Sequence, residues 1–338
     1  MRVALTHNLR VSADSTEARY APPETVDGLV ASLTRLGNEV VPVEVSGPVA
    51  DTITRLRDCA PDVVYNISEG WPDGPGQEFF PALFSHLGYP HTGSDAAVLT
   101  LAIDKHLTKL VLRAQGVRTP RWQFLREPEG YDPDIAGFPA IVKPNSEGTS
   151  RGITQESVVD SASAARTRIK LLLCEYPAGV LVEQYVAGRD VSVDYLEAVD
   201  NAFGGVMTPQ EIEIQEERSH NILDYGFKNF RYRMAAEPEP RVRFHMPPRL
   251  PDDVIEQIRG AALASVTAVG MVDIATVDFR VDDADVPYVL EVNALPRLDP
   301  DLVVRRGESF AGVRPEDAVV AAVLVSATRR YGLPWDVA

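Results

Sequence analysis

Cysteine is scarce in this chain of 338 residues, which contains only two, without C-x-x-C or histidine spacing. No disulfide framework is therefore predicted, and we interpret Cys59 and Cys174 as reduced, buried thiols. Basic residues are also in deficit, with 33 Lys and Arg against 49 Asp and Glu, a formal net charge of -16. This balance argues against nucleic acid, because phosphate binding needs a basic footprint. It does not exclude ATP, which needs only local lysines and acidic ligands for Mg²⁺.

Long hydrophobic runs are missing as well. The longest, Ala318–Ala327, is about half a membrane span, and the amino terminus starts directly as a strand pattern without a cleavable signal peptide. Hydrophobic residues make up 45% and charged residues 24%, which is ordinary for globular proteins. The length suits two or three compact units. We therefore expect a soluble, cytoplasmic, multidomain protein with no membrane partner.

The amino-terminal part of the chain alternates strand and helix patterns. Three apolar runs predict strands: Val3–Thr6, Val40–Val45 and Asp62–Ser68. The apolar stripe after the first run predicts a helix that stops at Gly37, and another helix stops at Gly88. This alternation predicts a parallel sheet covered by helices, with ligands at the carboxyl ends of the strands, near His7–Arg10 and Ser68–Gly76.

After Ser94 the pattern changes to short strands mixed with helices. The predicted strands are Trp122–Leu125, Pro139–Pro144, Gly179–Val186, Val191–Glu197, Val272–Val281 and Pro287–Asn293. The predicted helices include one ending at Gly116, and others at Asp160–Cys174, at 252–269 and from Pro315 to Gly332. The stretch around Glu211–Arg233 is predicted to be irregular and charged.

The hairpin formed by the last two predicted strands carries the most informative polar residues. Because side chains alternate along a strand, Glu291 and Asn293 share one face, while Val292 and Leu290 take the other. Asp278 on the partner strand can lie opposite Glu291. Two carboxylates and one amide form an all-oxygen site of the kind Mg²⁺ prefers. The alternative is a half-exposed sheet whose polar face carries ordinary acids.

Two further segments have features of a nucleotide site. Lys143 ends an apolar strand, and the following loop contains Gly148, which lets backbone N–H groups approach anionic oxygens. In GVLVEQYVAGRD, apolar positions enclose Glu183, and Asp190 follows a turn, as an adenine slot and a ribose acid would require. Each segment alone is also compatible with an ordinary turn or loop acid. Lys105, near the start of a helix, is uninformative by itself.

Together and in order, these segments resemble the ATP-grasp carboxylate–amine ligases, most of all the D-alanine–D-alanine ligase branch. The resemblance is carried by LGYPHTGSD, IDKHLTK, VKPNSEGTSRG, LVEQYVAGRD, LDYGFKN, TVDFR and LEVNALP. It implies an α/β fold, α+β in the ATP-binding part, with three domains. These are an N-terminal parallel α/β pre-ATP-grasp domain at 1–93, a small central domain at 94–184 and a C-terminal domain at 185–338. ATP would lie between the last two.

The resemblance also implies how the nucleotide is bound. Lys105 and Lys143 would hold the α- and β-phosphates, and Lys228 would reach the γ-phosphate from a mobile loop. Gln184 stands where the family usually has a lysine, and Asp190 replaces a family glutamate at the ribose. The implied ATP-binding residues are Lys105, Lys143, Glu147, Gly148, Thr149, Ser150, Glu183, Gln184, Tyr185, Val186, Asp190 and Lys228.

The metal and catalytic residues follow from the same resemblance. Asp278, Glu291 and Asn293 would hold two Mg²⁺ ions, or Mn²⁺, with Glu291 bridging them. Ser150 would orient the substrate and the transferred phosphate. The implied catalytic set is Lys228, Ser150, Arg297 and Glu69.

The substrate half departs from D-alanine ligation. Thr276 stands where the family has an arginine that polarises the carbonyl under attack, and no serine follows the metal asparagine at the usual place. Arg297 is a candidate replacement, and Glu69 aligns with a family histidine and could bind an ammonium or guanidinium group. Glu24 is a candidate for gripping a substrate amino group. The alternatives are a surface arginine at Arg297 and a charge favoured by the helix start at Glu24.

The function implied is ATP-dependent formation of an amide bond through an acyl phosphate, giving ADP and phosphate. Water must be excluded, so Asn145–Gly152 and Gln210–Arg233 are candidate lids. The departures predict a small carboxylate or amino acid and an amine as substrates, in specialised metabolism. The alternatives are a cell-wall D-alanine–D-alanine or depsipeptide ligase and a catalytically inactive ATP-binding regulatory protein; the intact metal set argues against the latter. Dimers are common in the family, which makes a homodimer an option.

Overall fold

The computed structural model describes residues 1–12, 14–71, 76–228, 242–308, 310 and 313–335, without the side chains of residues 15, 227 and 228. The chain opens with a parallel sheet in the order β2–β1–β3. Its strands and helices are β1 (Arg2–His7), α1 (Pro23–Arg35), β2 (Glu39–Glu44), α2 (Val49–Cys59), β3 (Val63–Ile67) and α3 (Phe79–Leu87). Gly37 and Gly88 follow α1 and α3 at φ of 82° and 77°, which confirms the predicted helix ends.

Two helices, α4 (Ala96–Ile103) and α5 (Lys105–Ala114), lead to a second, antiparallel sheet. The side chains of Asp95 and Asp104 cap these helices by accepting hydrogen bonds from backbone N–H groups. The second sheet has the order β4–β7–β5–β6. Its elements are β4 (Trp122–Leu125), α6 (Pro133–Ala136), β5 (Ala140–Pro144), β6 (Val158–Val159), α7 (Ala162–Glu175) and β7 (Val180–Gln184).

The third sheet is antiparallel, in the order β10–β9–β8–β11–β12. Its elements are β8 (Arg189–Leu196), β9 (Gln210–Ile214), α8 (Tyr225–Lys228), β10 (Val242–His245), α9 (Asp252–Val269), β11 (Ile274–Val281) and β12 (Pro287–Asn293). The chain continues with α10 (Pro300–Gly307) and α11 (Pro315–Tyr331). Helices α4, α5 and α9 contribute Leu99, Leu112 and Ile258 to the core on one face of this sheet, so its other face is left for polar residues.

The apolar run at 318–327 belongs to α11, a core helix that packs with α1 and the first sheet. Val319, Val320 and Leu324 are completely buried there. Within the described residues, no helix combines the length and apolarity that crossing a membrane would require. The run is therefore explained by packing inside the protein.

Two expectations about the fold are wrong. Cys174 is exposed on α7, and Cys59 is half-buried, so the pair are free thiols but not both buried; α7 buries one stripe only, and Cys174 lies outside it. The segment after 209 is not wholly irregular, because β9 occupies Gln210–Ile214. Glu211 on that strand is buried and accepts hydrogen bonds from Arg249. This pairing offsets the free-energy cost of burying the carboxylate. The part of the stretch from 229 to 233 lies outside the described residues.

Candidate active site

Side-chain alternation separates an apolar and a polar face on the third sheet. Val191, Val193 and Val277 point into the core, and the residues between them form the polar face. Strand register aligns that face in rows: Asp194, Thr276 and Asn293; Ser192, Asp278 and Glu291; Asp190 and Arg280. The three predicted metal ligands therefore lie on one face, within two adjacent rows of neighbouring strands.

A β-bulge determines which face Glu291 occupies. Asp278 pairs with Glu291, but the next residue of β11 pairs with Val289, so Leu290 is the extra residue. Val289 and Val292 both reach the core. Without the extra residue, strict alternation would have placed Glu291 on the core face with Val289. The prediction that Leu290 and Val292 share the face opposite Glu291 is wrong for this reason.

The predicted metal ligands already have polar partners. Ser192 Oγ donates to Asp278 Oδ1 at 2.7 Å, and Lys105 Nζ lies 3.2 Å from Glu291 Oε2. The donor set of two carboxylates and the Asn293 amide fits a hard divalent cation. Among the described residues, no cluster of three or more His, Cys, Asp or Glu side chains forms a metal site. The amide of Asn293 supplies the third oxygen of the predicted set, beside the two carboxylates.

A buried charge triad lies on the face of the second sheet opposite α7. Lys143 Nζ is 2.9 Å from Glu183 Oε1, and Lys109 Nζ is 2.7 Å from Glu183 Oε2. Burial raises the pKa of Glu183, but the two lysines outweigh burial and hold that pKa below its ordinary value. Burial lowers the pKa of Lys109 to about 8 against the opposing effect of Glu183. Lys109 is absent from the predicted site, although its position one helical turn after Lys105 places both on one face of α5.

The loop after β5 is tied to its surroundings at several points. Lys105 Nζ donates to the Glu147 carbonyl at 2.6 Å, and Ser150 Oγ donates to the Leu223 carbonyl at 2.6 Å. Thr149 and Ser150 have φ of 51° and 58°, a left-handed conformation that is uncommon for residues other than glycine. Lys105 therefore links this loop to Glu291, connecting the second and third sheets.

The predicted ribose acid is paired with an arginine. Arg280 Nη1 donates to Asp190 Oδ2 at 2.8 Å, and both side chains are largely buried. The same guanidinium donates to the carbonyls of Val186, Gly188 and Asn221 at 2.9–3.0 Å. Arg280 is absent from the predicted site, although its place two residues after Asp278 on a strand puts both on the polar face.

The remaining nucleotide candidates lie near the end of β7. Gln184 Oε1 accepts from Arg121 Nε at 3.5 Å, and Tyr185 Oη donates to the Asn221 carbonyl at 3.4 Å. Both residues are half-buried. Lys228 ends α8, but its side chain lies outside the described residues, so its predicted contact with the γ-phosphate stays a prediction.

The carboxyl ends of β1 and β3 are hydrogen-bonded to each other, and residues at the end of β3 line a small cavity. Asn8 Oδ1 accepts from the Glu69 N–H at 2.8 Å. The cavity is lined by Arg19, Tyr20, Ala21, Thr25, Ile67, Glu69 and residues 295–299. Glu69 Oε2 is buried without a hydrogen-bond partner among the described residues, and Arg19 Nε lies 3.9 Å away. Burial raises the pKa of Glu69 to about 7, although Arg19 and Arg297 act in the opposite direction.

The predicted substrate residues have different positions around this cavity. Arg297 lines it and is paired with Asp299, with Nε to Oδ2 at 2.9 Å. Asp299 Oδ1 accepts from Thr25 Oγ1 at 2.7 Å. Glu24 is exposed in the first turn of α1 and does not line the cavity, whereas the neighbouring Thr25 does. The structure thus brings Arg297 and Glu69 together and leaves Glu24 outside.

A second missed arginine lies beside the position that lacks the family guanidinium. Thr276 Oγ1 donates to Asp194 Oδ1 at 2.8 Å, and Arg306 Nε donates to Asp194 Oδ2 at 2.8 Å. Arg306 Nη1 also donates to the Arg297 carbonyl at 2.7 Å. Helix α10 therefore supplies a guanidinium that is linked to Thr276 through the carboxylate of Asp194. No local sequence pattern indicates the pairing of Arg306 with Asp194.

Known proteins resemble this chain in both sequence and fold. Residues 111–321 match the family described as D-ala D-ala ligase C-terminus. An uncharacterised protein of Sinorhizobium fredii is 28% identical over 90% of this chain and 88% of its own length. A D-alanine–D-alanine ligase of Desulforamulus reducens is 30% identical over 82% of this chain and 84% of its own length.

A similar solved structure is the D-alanine–D-alanine ligase of Bacillus anthracis complexed with ATP, with a TM-score of 0.74. It is 22% identical, and the likeness covers 98% of this chain and 99% of that one. The fold is ATP-grasp, and with the site it defines an ATP-dependent, ADP-forming ligase. More narrowly, the chain belongs to the D-alanine–D-alanine ligase family.

Proposed function

We propose that this ligase joins a small carboxylate, most simply an amino acid, to an amine other than a second D-alanine, through an acyl phosphate. The observation that carries the proposal is the neutral Thr276 on the polar face, beside Asp278. The family resemblance implies an arginine at position 276. In this chain the guanidinium near that position belongs to Arg306 and is paired with Asp194, so the charges around the acyl site are arranged differently.

We place ATP between the second and third sheets. Lys105 spans this region, contacting Glu147 on one side and Glu291 on the other. Lys143 and Glu183 face it from the second sheet, and we expect Lys143 to neutralise phosphate charge. Asp278, Glu291 and Asn293 would hold Mg²⁺, which when bound neutralises charge on the transferring phosphoryl group.

The reaction needs positioning more than covalent participation of the protein. An oxygen of the substrate carboxylate forms a bond to the γ-phosphorus as the bond from that phosphorus to ADP breaks. The amine nitrogen then forms a bond to the acyl carbon and loses a proton, and inorganic phosphate leaves. Because a water molecule could replace the amine, the loop at 145–152 must limit access; its anchoring through Ser150 supports that role.

The small cavity is proposed to hold the carboxylate substrate. Glu69 offers a buried acceptor for an ammonium or guanidinium group, since its Oε2 has no hydrogen-bond partner among the described residues. Arg19 and Arg297 on the same walls offer guanidinium groups for a carboxylate. A zwitterionic amino acid combines both charges, which is why we favour this class of donor.

The test is a substrate screen with purified protein, Mg-ATP and pooled amino acids and amines, read by mass spectrometry. We expect ADP and a new mass equal to two pool members minus water. The D-alanine–D-alanine ligase relatives favour a second candidate, cell-wall dipeptide synthesis. Robust turnover with D-alanine alone would support that candidate and overturn our substrate assignment.

A further inference from the structure

A second and larger cavity lies between α10 and the β9–β10 edge of the third sheet. Its volume is about 560 Å³. It is lined by Gln210, Phe244, Met246, Pro300, Asp301, Val304, Arg305 and Glu308. Cavities of about 300–1,000 Å³ typically hold organic ligands much larger than alanine. The lining is amphipathic, with apolar walls and side chains of both charges.

The cavity is close to the predicted metal ligands. Gln210 on β9 pairs with Ser192 on β8, and Ser192 pairs with Asp278 on β11. Paired residues in register share one face of a sheet, and adjacent strands are about 4.8 Å apart, so Gln210 lies about 10 Å from Asp278 across that face. On the opposite wall, Arg305 immediately precedes Arg306, which contacts Asp194 on the polar face.

The lining chemistry suits an amino acid with a large side chain. The Arg305 guanidinium lies 3.5 Å from the centroid of the Phe244 ring, and its Nη2 lies 3.8 Å from Asp301 Oδ2. A guanidinium can bind a substrate carboxylate, and a carboxylate can bind an ammonium group. Phe244 and Val304 supply apolar contact surface between them, and Phe244 is 39% exposed in this structure.

We propose that this cavity binds the amine substrate, and that this substrate is an amino acid or short peptide with a bulky apolar side chain. The inference rests on the proposed ligase function. The carboxylate substrate then occupies the small cavity at Glu69. The segment Leu295–Asp299, which lines that cavity, runs directly into α10, whose Pro300 lines the larger one. An amine in the larger cavity reaches the acyl carbon across the polar face.

The experiment fills the larger cavity and compares acceptors. Val304→Trp is assayed with Mg-ATP, the single donor that the substrate screen identifies, and one acceptor at a time: phenylalanine, leucyl-leucine, alanine or glycine. We expect the wild type to prefer the two bulky acceptors. In Val304→Trp, kcat/KM for these should fall at least tenfold relative to alanine. Leu171→Trp, which adds the same ring at an exposed site on α7, should retain the wild-type preference.

A second variant keeps the test decisive if the tryptophan prevents folding. Arg305→Met should reduce the preference for phenylalanine over phenylalanine amide, because only the free acid presents a carboxylate. Ligation confined to small acceptors, or unchanged selectivity in both variants, would overturn this inference and leave the ligase intact. Absence of any ATP-dependent condensation in the wild type would instead overturn the proposed function, and this inference with it.

Discussion

Replacing Glu69 by glutamine should stabilise the protein at alkaline pH while impairing ligation. Burial raises the pKa of Glu69 from an ordinary 4.5 to about 7. Between these values the native state holds a proton that the unfolded chain has lost. The contribution of Glu69 to the free energy of unfolding therefore falls as the pH rises from about 4.5 to 7, and its unfavourable effect is complete above 7.

The size of the effect follows from the same two pKa values. Their difference corresponds to about 3 kcal/mol, a net value that already includes the opposing effect of Arg19 and Arg297. Glutamine has nearly the same shape and no charge. At pH 8 we expect the free energy of unfolding of Glu69→Gln to exceed that of the wild type by about 1–3 kcal/mol. Near pH 4.5 we expect the two free energies to match. In thermal scans this is a rise of a few degrees.

The assay is paired thermal unfolding of wild type and variant across that pH range, followed by circular dichroism. Glu24→Gln is the matched control, because Glu24 is an exposed acid in α1 and its neutralisation should give no such pH-dependent difference. Ligation by Glu69→Gln at pH 8 should fall at least tenfold. Equal stability of Glu69→Gln and wild type at both ends of the range would refute the burial argument. A stabilised variant with full activity would refute the substrate role.

Three further predictions concern the rest of the site. Glu183→Gln should lower the free energy of unfolding in urea by about 3–5 kcal/mol, more than Lys109→Met, because it leaves two buried lysines without their shared carboxylate whereas Lys109→Met leaves a neutral pair; the reverse order would contradict the triad. Glu291→Gln should abolish Mg-dependent ADP formation measured by a coupled assay, and retained turnover would remove this residue from the metal site. Arg306→Met should lower kcat with little change in the KM for ATP, because its contacts lie at the acyl side; a change confined to the KM for ATP would contradict that placement.

Individual helices and strands could be predicted because each depends on residues that are close together in the sequence. Helix α9 runs over Asp252–Val269 and β4 over Trp122–Leu125, matching the spacing of apolar residues and the flanking glycine and proline. The face shared by Asp278, Glu291 and Asn293 also followed from alternation, although only the bulge at Leu290 makes it consistent with a buried Val289.

The arginine and lysine pairings were not predictable from the sequence. Arg306 and Asp194 are separated by 112 positions, and Arg280 and Asp190 by 90. Each pairing depends on how strands and helices from different parts of the chain are brought together. The residues around one member of a pair therefore do not indicate which distant residue it contacts. Glu211 shows the same limit, since its charge indicates a loop until Arg249 is placed beside it.

The ligase assignment is best tested by identifying the nucleotide product and the condensation product formed from Mg-ATP and the mixed pool. We expect ADP, inorganic phosphate and an amide whose mass is the sum of two pool members less water, with neither ADP nor amide from Glu291→Gln. Formation of AMP and pyrophosphate would contradict acyl-phosphate chemistry. A product composed solely of two D-alanines would contradict the assignment of the substrate half.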